Sequence, residues 1–497
     1  MATQATSQGS WLPTRMLIGG TLCAGEGAPV VVRNPSTGEV TTEFAGASLD
    51  QTKAAIAAAR AAADKGEWAA TPQKVRVAKV RALLELFMAR TDDLRDLIVT
   101  ETGMPIKSFA LHAQVGAPMA QMDVMLDLCL KLPEIEENPI SLEERINNMG
   151  GFVQSIRRYV PVGVVAAISA YNFPLHINLW KIMPALATGN CVILRPSPLT
   201  PLSALALAEI AAEAGLPEGV LSILAEGGAE GAQLLTTDPA VNMVSFTGST
   251  EVGSIVAGQA APSMKRLQLE LGGKSAQIFL PDRVEAAYSA AIGVCMAHAG
   301  QGCVLGTRIF VPQEEKAKVL GAMAASMAYA KIGNSTDPET TMGPVISEAQ
   351  VLRCERYVKL AVEAGATVVS GGKRADRPGY FFEPTILDVP DNKNPSAQDE
   401  IFGPVVSVIG YRDVDHAIEM ANDSSLGLSG YVFGKDAKAA LDVARRLRTG
   451  TVNVNAFFAS ANSSSGGVKM SGIGRERGVE GIRAFQDVQV MNLGSAV

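Results

Sequence analysis

From residue 159 onward, short apolar runs alternate with helical segments, and this rhythm restricts the fold more than any other feature of the chain. The apolar runs are of strand length, and the segments between them have the length and periodicity of helices. The predicted strands span 162–170, 191–194, 220–224 and 241–246, and the predicted helices span 177–188, 202–214, 229–236 and 250–261. Alternation of this kind predicts a mostly parallel sheet covered by helices on both faces.

A second series of the same type follows residue 275. Its predicted strands lie at 275–280, 367–369 and 405–411, and its predicted helices lie at 284–299 and 314–329. Two earlier stretches, 49–65 and 75–102, are rich in Ala and Leu with apolar residues at helical spacing, which predicts a helical layer near the N-terminus. We therefore expect an α/β fold with two doubly wound units in sequence.

Two segments fall outside these units. Residues 133–148 are acidic, punctuated by proline and poorly periodic, whereas residues 484–497 roughly alternate polar and apolar side chains like an exposed strand. Such excursions can form an arm that pairs with a second subunit, and we expect a homodimer or a homotetramer. An additional edge strand of the parent sheet is an equally good interpretation of the tail.

The composition excludes several classes of function. The 497 residues carry 43 basic and 50 acidic side chains, a net charge of −7 without a dense basic cluster, so a nucleic-acid partner is not expected. The six cysteines show neither metal-binding nor disulfide spacing, which indicates a reducing, cytoplasmic setting without structural metal. Residues 1–10 do not resemble a secretory signal, and the apolar stretch 159–170 is too short to span a bilayer.

A glycine-containing turn, TGSTEVG at 247–253, joins a predicted strand to a predicted helix. Backbone N–H groups and the helix dipole at such a turn suit the pyrophosphate of a dinucleotide, and Ser249 adds a hydroxyl. The turn lacks the G-x-G-x-x-G fingerprint, however, and an ordinary strand-to-helix connection is the more common reading of one glycine turn.

Cys303 follows Gly300 and Gly302, and Glu270 precedes Gly272 and Gly273. A thiolate attacks carbonyl carbon readily, and a carboxylate that folds back onto it can activate water, so the pair predicts covalent catalysis. Taken singly, a cysteine is more often a small buried apolar residue and a glutamate a solvated charge. The neighbouring glycines favour the catalytic reading because they permit close approach of ligand or backbone.

Eight motifs together resemble the NAD(P)-dependent aldehyde dehydrogenase superfamily, of the non-acylating, hydrolytic type. They occur in the family's order across nearly the whole chain: YNFP (171–174), RPS (195–197), FTGST (246–250), LELGGK (269–274), GQGC (300–303), EIFGP (400–404), GTVN (450–453) and KMSG (469–472). The resemblance implies a dinucleotide-binding domain at 1–135 and 159–271, a catalytic domain at 272–455, and an oligomerisation arm and tail at 136–158 and 484–497.

The resemblance also implies roles for individual residues. Cys303 is the expected nucleophile, Asn172 and the Cys303 backbone N–H the expected oxyanion donors, and Glu270 the base that activates water. Lys181 and Glu476 fall where some members place a proton relay, although Lys181 can also be read as a solvated charge. A CoA-acylating relative commonly lacks the glutamate, and a non-catalytic protein on this scaffold would be expected to have lost one of these residues; all of them are present.

The expected cofactor is NAD, with NADP as an alternative. The implied contacts are Ser169, Arg195, Ser197, Pro198, Gly228, Phe246, Gly248, Ser249, Gly253, Leu271, Glu400 and Phe402. Members of the family usually carry Lys at the position of Arg195, and often carry at the position of Pro198 a Glu that repels the 2′-phosphate of NADP. Because that acid is absent here, the resemblance favours NAD only modestly.

The expected substrate is a small aldehyde, hydrophobic or aromatic in character. The residues implied to line its channel are Tyr171, His176, Trp180, Val304, Phe457 and Phe458. They are mostly apolar or aromatic, and few cations are available to hold a carboxylate. Core packing is an equally good reading for Trp180 and the two phenylalanines, and Ser463 to Ser465 indicate a wider pocket on that side.

Overall fold

The computed structural model describes residues 11–146 and 151–494. Residues 1–10, 147–150 and 495–497 lie outside the described residues, and with them the expectation about a secretory signal and the ends of the predicted arm segments. The N-terminal part contains short strands and a helical layer: β1 (Met16–Ile18), β2 (Thr21–Cys23), β3 (Pro29–Arg33), β4 (Val40–Ala45), α1 (Leu49–Lys65), α2 (Gln73–Ala89), α3 (Thr91–Thr102), α4 (Phe109–Gln114), α5 (Gly116–Lys131), β5 (Ile135–Glu137) and β6 (Val153–Pro161).

Helix α1 has the predicted bounds because its sequence contains its own start signal. Ser48 and Gln51 form a capping box, in which each side chain satisfies the backbone N–H of the other residue. The predicted helical stretch 75–102 is divided into α2 and α3, since the backbone of Arg90 leaves the helical conformation and Asp92 and Asp93 begin a new first turn. The helical layer is therefore present, with one more break than its periodicity indicated.

The strand–helix alternation continues from residue 164 to 270. Its elements are β7 (Val164–Ile168), α6 (Pro174–Ala187), β8 (Cys191–Arg195), α7 (Leu202–Ala211), β9 (Leu221–Ile223), α8 (Glu230–Thr237), β10 (Met243–Thr247), α9 (Thr250–Ala260) and β11 (Arg266–Glu270). Each predicted strand and helix of this series is present within a few residues. Strands β7 and β8 are buried along their whole length, which explains their unbroken apolar runs.

The second series and the C-terminal region follow. Their elements are β12 (Ala276–Phe279), α10 (Ala290–Met296), β13 (Arg308–Pro312), α11 (Lys316–Ser326), α12 (Glu348–Glu363), β14 (Thr367–Ser370), β15 (Thr385–Val389), α13 (Pro395–Gln398), β16 (Val405–Tyr411), α14 (Val414–Asn422), β17 (Leu426–Gly427), β18 (Ser429–Phe433), α15 (Ala437–Ala444), β19 (Thr451–Val454), β20 (Val468–Lys469), β21 (Gly472–Ile473), α16 (Gly478–Arg483) and β22 (Gln486–Gly494). The predicted helix at 284–299 is shorter, because residues 281–289 form a kinked 3₁₀ segment.

Two large sheets organise the molecule. The first has the order β2-β1-β9-β8-β7-β10-β11-β21, with β9 to β11 parallel and antiparallel strands at both edges. The second has the order β14-β15-β16-β13-β12-β18-β19, parallel except for β14. The prediction of mostly parallel, doubly wound α/β units is confirmed.

Each large sheet has its own hydrophobic core. The first core contains residues between 16 and 271, and the second contains residues between 276 and 447. Ala461, Ile482 and Phe485 return to the first core, and β21 pairs with β11 of the first sheet. The segment 456–483, which the predicted domain division leaves unassigned, therefore contacts both units, since Phe457 also packs on Tyr431 and Phe433 and β20 pairs with β17. The residue boundaries of the domains stay a prediction.

A separate three-stranded sheet, β22-β6-β5, lies outside both large sheets. Strand β22 pairs with β6 in an antiparallel register from Gln486 opposite Pro161 to Gly494 opposite Val153. The tail is therefore a strand, as its alternation predicted, but the alternative that placed it at an edge of the parent sheet is wrong. No helix within the described residues is both long and apolar enough to cross a bilayer.

Candidate active site

Four parallel strands of the first sheet end at one edge, and the candidate site is built on that edge. Strands β7, β8, β10 and β11 terminate at Ile168, Arg195, Thr247 and Glu270. In open α/β sheets ligands bind outside the carboxyl ends of the strands, because neighbouring connections diverge there and leave a crevice. The predicted residues Ser169, Arg195, Gly248 and Glu270 are consequently close in space although they are distant in sequence.

Cys303 lies in a turn between residues 298–300 and strand β13, and it is half-buried. His298, Ala299 and Gly300 all have positive φ, at 52°, 50° and 74°. A Cβ at Gly300 would lie 2.1 Å from the carbonyl oxygen of Gly403, so only glycine fits there. The two non-glycine residues in left-handed conformation store backbone strain next to the candidate nucleophile, as is common at functional sites.

Gly272 and Gly273, just after β11, receive the backbone of this turn and the side chain of Glu400. A Cβ at Gly273 would lie 2.4 Å from the carbonyl oxygen of Cys303, and a Cβ at Gly272 would lie 2.3 Å from Oε2 of Glu400. The Gly273 N–H donates to Oε1 of Glu400 over 2.8 Å. The two glycines thus permit close approach, as predicted, but the groups that approach them are Cys303 and Glu400.

Cys303 is held in its neutral form. Burial raises the pKa of its thiol to about 12, and the negative charges of Glu400 and Glu270 act in the same direction. A thiol with a pKa raised in this way is protonated at neutral pH, so its ionisation would need a base.

Glu270 ends β11, and its carboxylate is one of the two whose charge acts on the Cys303 thiol. Its Oε1 atom is buried and has no hydrogen-bond partner among the described residues. Burial raises the pKa of Glu270 well above the ordinary value for glutamate, and the negative charge of Glu476 raises it further, whereas the positive charge of Lys181 lowers it. An unpaired carboxylate oxygen with raised proton affinity is suited to general-base catalysis.

Lys181 and Glu476 form a buried ion pair behind Glu270. Nζ of Lys181, on α6, donates to Oε1 of Glu476 over 2.9 Å and to Oγ of Ser245 over 3.0 Å. Ser245 in turn donates to Oε1 of Gln268 over 2.6 Å. The side chain of Lys181 is fully buried, so the alternative reading of a solvated charge is wrong. Ser245 and Gln268 lie inside apolar strands and carry no sequence signal of this contact.

Asn172 lies between β7 and α6, and its side chain is buried against the cysteine turn. Nδ2 donates to the carbonyl oxygen of Gln301 over 3.0 Å. The second N–H of this amide forms no hydrogen bond within the described part of the chain. The amide is therefore fixed to the turn that carries Cys303 and retains a free donor.

The predicted cofactor residues of the first sheet line its carboxyl edge. Oγ of Ser169, directly after β7, is buried without a partner among the described residues. Ser249 caps α9 by accepting from the backbone N–H of Val252 over 3.2 Å. A Cβ at Gly253 would lie 2.4 Å from Leu271, and one at Gly248 would lie 2.4 Å from Phe246. The glycine turn is thus required for close packing of helix on sheet, and it leaves the N-terminus of α9 at the edge.

Arg195 has an acidic partner that the sequence did not reveal. Its Nε donates to Oε1 of Glu226 over 2.8 Å, and its Nη2 donates to the carbonyl oxygen of Gly228 over 2.7 Å. Glu226 is buried and also accepts from the backbone N–H groups of Gly231 and Ala232 at the start of α8. Ser197 and Pro198 follow Arg195 in the same loop, where Oγ of Ser197 accepts from the N–H of Leu199.

Glu400 and Phe402 reach this edge from the second unit. Burial raises the pKa of Glu400 to about 7. Phe402 has a φ of 62°, and its ring meets that of Tyr171 edge to face at 5.9 Å between centroids. Tyr171, predicted to line the substrate channel, therefore contacts a residue of the predicted cofactor set.

The other predicted channel residues fall into two groups. His176 and Trp180 lie on α6 and contact Arg477, which sequence reasoning missed. Trp180 is also buried in the first hydrophobic core, so the core-packing alternative is confirmed for this residue. Phe457 and Phe458 are exposed over 70% and 69% of their surfaces, so neither is core packing. Val304 is also exposed, and its carbonyl oxygen accepts from the hydroxyl of Tyr431 over 2.9 Å.

Comparison with known proteins gives consistent results. The family model described as "Aldehyde dehydrogenase family" matches residues 23–491. Geranial dehydrogenase of Castellaniella defragrans is 36% identical, over 92% of this chain and 93% of that protein. The structure of a Mycobacterium tuberculosis aldehyde dehydrogenase complexed with NAD+ superposes with a TM-score of 0.90 at 38% identity, covering 96% of this chain and 98% of that one. A mutant of aldehyde dehydrogenase C from Pseudomonas syringae, complexed with NAD+ and octanal, superposes with a TM-score of 0.89 at 32% identity, covering 98% of both chains.

Proposed function

The chain belongs to the aldehyde dehydrogenase family, and on that premise we propose that it oxidises an aldehyde to a carboxylic acid with NAD+, through a covalent intermediate on Cys303. The observation that carries the hydrolytic part of the proposal is the buried, unpartnered Oε1 of Glu270. Its raised proton affinity and its position behind the cysteine turn suit a base that activates water.

The residues at the carboxyl edge of the first sheet fit a dinucleotide. The N-terminus of α9 and the turn at Gly248 and Ser249 suit the pyrophosphate. The unpartnered hydroxyl of Ser169 and the carboxylate of Glu400 suit hydroxyl groups of the riboses. When bound, NAD+ supplies the acceptor for the hydride that leaves the substrate carbon.

NAD is the cofactor we propose, in preference to NADP, and Glu226 supports this choice. The Glu226 carboxylate already accepts a hydrogen bond from Nε of Arg195. Arg195 is the cation that would otherwise attract a 2′-phosphate. A buried negative charge at this point also repels a phosphate. Glu226 thus supplies a carboxylate that disfavours the 2′-phosphate of NADP, as does the Glu that family members often carry at the position of Pro198.

In the first half of the reaction, Glu270 accepts the thiol proton and the sulfur of Cys303 attacks the aldehyde carbon. The product is a thiohemiacetal whose oxygen carries developing negative charge. The free N–H of the Asn172 amide and the backbone N–H of Cys303 are the proposed donors to that oxygen. Removing one such donor typically costs about 3 kcal/mol of transition-state stabilisation.

In the second half, the thioester on Cys303 is hydrolysed. Glu270, after it has released the thiol proton to solvent, takes a proton from water, and the resulting hydroxide attacks the thioester carbon. The C–S bond then breaks, the carboxylic acid leaves, and the sulfur of Cys303 takes the proton back from Glu270. Lys181 and Glu476 are proposed as positioning residues, because their opposite charges set the proton affinity of Glu270 without contact to substrate. A CoA-acylating reaction would not need Glu270 as a base. A non-catalytic protein on this scaffold would not need Cys303, Asn172 or Glu270.

The proposed substrate is a hydrophobic or aromatic aldehyde. The rings of Trp180, Phe457 and Phe458 support this class, and the relatives named for geranial and complexed with octanal are consistent with it. The exposed phenylalanines suit the mouth of the channel, because exposed aromatic side chains commonly mark binding surfaces.

Three further properties are proposed with the function. The dinucleotide-binding domain comprises 1–135 and 159–271, the catalytic domain 272–455, and the arm 136–158 and 484–497. The arm supports a homodimer or homotetramer, because β22 is a long exposed edge strand. A cytoplasmic location is supported by six cysteines that are all free thiols.

A spectrophotometric assay tests the proposal. Wild-type protein is expected to reduce NAD+ in the presence of an aldehyde and without coenzyme A, and Cys303→Ser is expected to lose at least about 1,000-fold in kcat because an unactivated hydroxyl replaces the thiolate. NAD+ binding by Cys303→Ser, measured by calorimetry, is expected to match wild type. A variant that retained most of its turnover, or a wild-type rate that required coenzyme A, would overturn the proposed mechanism.

A further inference from the structure

Arg477 is a half-buried cation next to the proposed reacting groups, and its backbone is strained. It has a φ of 61°, a left-handed conformation that non-glycine residues rarely adopt. The positive charge of Arg477 interacts with the charges of Glu476, Glu270 and Cys303. An arginine in this conformation requires the surrounding structure to hold it there.

Two aromatic side chains of α6 position the guanidinium. Nη2 of Arg477 lies 2.6 Å from Nε2 of His176, and the guanidinium carbon lies 5.1 Å from the centroid of the Trp180 ring. His176 accepts this hydrogen bond as a neutral imidazole, since burial and the charge of Arg477 lower its pKa to about 3. The stacking and the hydrogen bond fix the plane of the guanidinium.

The guanidinium has unused binding capacity. No carboxylate forms an ion pair with Arg477 among the residues that the structure describes, and His176 is its single hydrogen-bond partner there. A guanidinium has five N–H donors in a fork that matches both oxygens of a carboxylate. Glu476 and Glu270 act on this cation only at longer range, since neither forms an ion pair with it, and an anion from outside the chain could still bind the free donors of the guanidinium.

Resting on the proposed function, we infer that Arg477 is a substrate-binding residue and that the hydrophobic or aromatic aldehyde proposed above carries a carboxylate at its distal end. His176 and Trp180, both predicted to line the channel, hold Arg477 for this contact. The expectation that few cations are available for such a substrate overlooked Arg477, because residues 176 and 477 approach each other only in the folded chain.

The test compares matched aldehydes with and without a carboxylate. Oxo acids of increasing chain length and carboxybenzaldehydes are compared with the corresponding alkanals and benzaldehyde, for wild type and for Arg477→Leu. We expect Arg477→Leu to lower kcat/KM for the best carboxylate aldehyde by roughly 10- to 100-fold, mainly through KM. The uncharged partner of that aldehyde is expected to change by less than about 3-fold.

Control variants separate binding from folding and from electrostatic effects. Arg477→Lys retains the charge and is expected to recover part of the lost kcat/KM, and Arg445→Leu removes an exposed arginine of α15 and is expected to behave like wild type. Inhibition by a simple carboxylate that matches the best substrate is expected to weaken in Arg477→Leu. Thermal unfolding and NAD+ binding report whether the variants are folded.

Two results would overturn the inference. If Arg477→Leu lowered kcat/KM equally for charged and uncharged aldehydes and shifted both pH profiles, Arg477 would act on Glu270 or Cys303. If wild type oxidised only the uncharged aldehydes, the substrate class would be wrong while the proposed function stood. Failure of wild type to oxidise any aldehyde with NAD+ would instead remove the proposed function itself.

Discussion

At the scale of single residues, the pKa of Glu270 depends on two neighbours of opposite charge, Glu476 and Lys181. That pKa sets the pH range in which Glu270 can act as a base. As a base it acts in its ionised form, so turnover is lost as the pH falls through its pKa. Because burial and Glu476 raise that pKa, the acid limb of the pH profile is expected well above the ordinary range of a glutamate. In Glu270→Gln the acid limb of the pH profile is expected to disappear. The rate of thioester hydrolysis is expected to fall to a small fraction of the wild-type value.

Changing Glu476 is expected to shift this limb in a known direction. Glu476→Gln removes the negative charge next to Glu270 and leaves the positive charge of Lys181, so the pKa of Glu270 falls and the limb moves to lower pH. A shift of about one pH unit corresponds to ~1.4 kcal/mol. The measurement is kcat against pH, with Glu480→Gln, an exposed acid of α16, as the control. A limb that stayed in place or moved upward would contradict the role given to Glu476.

The residues of the candidate site differ in how far sequence could identify them. Cys303, Glu270 and Asn172 lie within motifs whose spacing reflects local turns, and the roles proposed for them follow from those motifs. Glu226 and Arg477 could not be identified in this way, because their importance depends on partners that are distant in the chain. Arg195 meets Glu226 across two strand ends, and Arg477 meets α6 only after the C-terminal segment has folded back.

Among the elements, the three-stranded sheet β22-β6-β5 leaves several apolar side chains of its edge strand exposed. Val488 and Val490 are exposed over 57% and 55% of their surfaces, and they occupy an edge strand. A long edge with apolar side chains is normally covered by another chain, since it otherwise promotes aggregation. This sheet is therefore the element through which we expect copies of the chain to associate.

Charged substitutions in β22 are expected to weaken that association. The double variant Val488→Asp, Val490→Asp places two carboxylates on the exposed strand and is expected to lower the mass measured by size-exclusion chromatography with light scattering. Val362→Asp, an equally simple change of an exposed valine on α12, is expected to retain the wild-type mass. A monomeric wild type, or an unchanged mass in the double variant, would show that β22 is not an interface.

The bounds of helices and strands could be predicted where they depend on signals within the segment itself. Strands β7 and β8 and helix α1 lie close to their predicted bounds because unbroken apolar runs and a capping box are local signals. Strand β21 has only two residues, Gly472 and Ile473, and no pattern of its own. It exists because β11 offers a free edge at Leu269 and Glu270, which is a tertiary contact that no window of sequence contains.

At the scale of the whole molecule, the proposed cofactor contacts come from both large units. Gly248 and Ser249 directly follow β10 of the first sheet, whereas Glu400 precedes β16 of the second. A ligand that binds only the folded state raises its stability, by ~2.7 kcal/mol at 100-fold excess over the dissociation constant. NAD+ is therefore expected to raise the unfolding temperature of both units together.

That stabilisation is expected to depend on pH through Glu400. Its pKa is raised to about 7, so the carboxylate that accepts hydrogen bonds is lost as the pH falls through that value. The rise in unfolding temperature caused by NAD+ is expected to be larger at about pH 8 than at about pH 6. Glu400→Gln is expected to remove most of this difference. An equal rise at both pH values in wild type would exclude Glu400 as a cofactor contact.

The return of β21 to the first sheet also has a consequence for protein synthesis. The ribosome makes the five parallel strands, Lys181, Glu270 and Cys303 long before it makes Glu476 and Arg477. Until the last segment emerges, the buried ammonium of Lys181 lacks its carboxylate and the edge of β11 is open. A nascent chain or a prematurely terminated product thus carries the proposed nucleophile and base without the residues proposed to position them, so on the proposed mechanism Cys303 becomes competent only when translation is nearly finished.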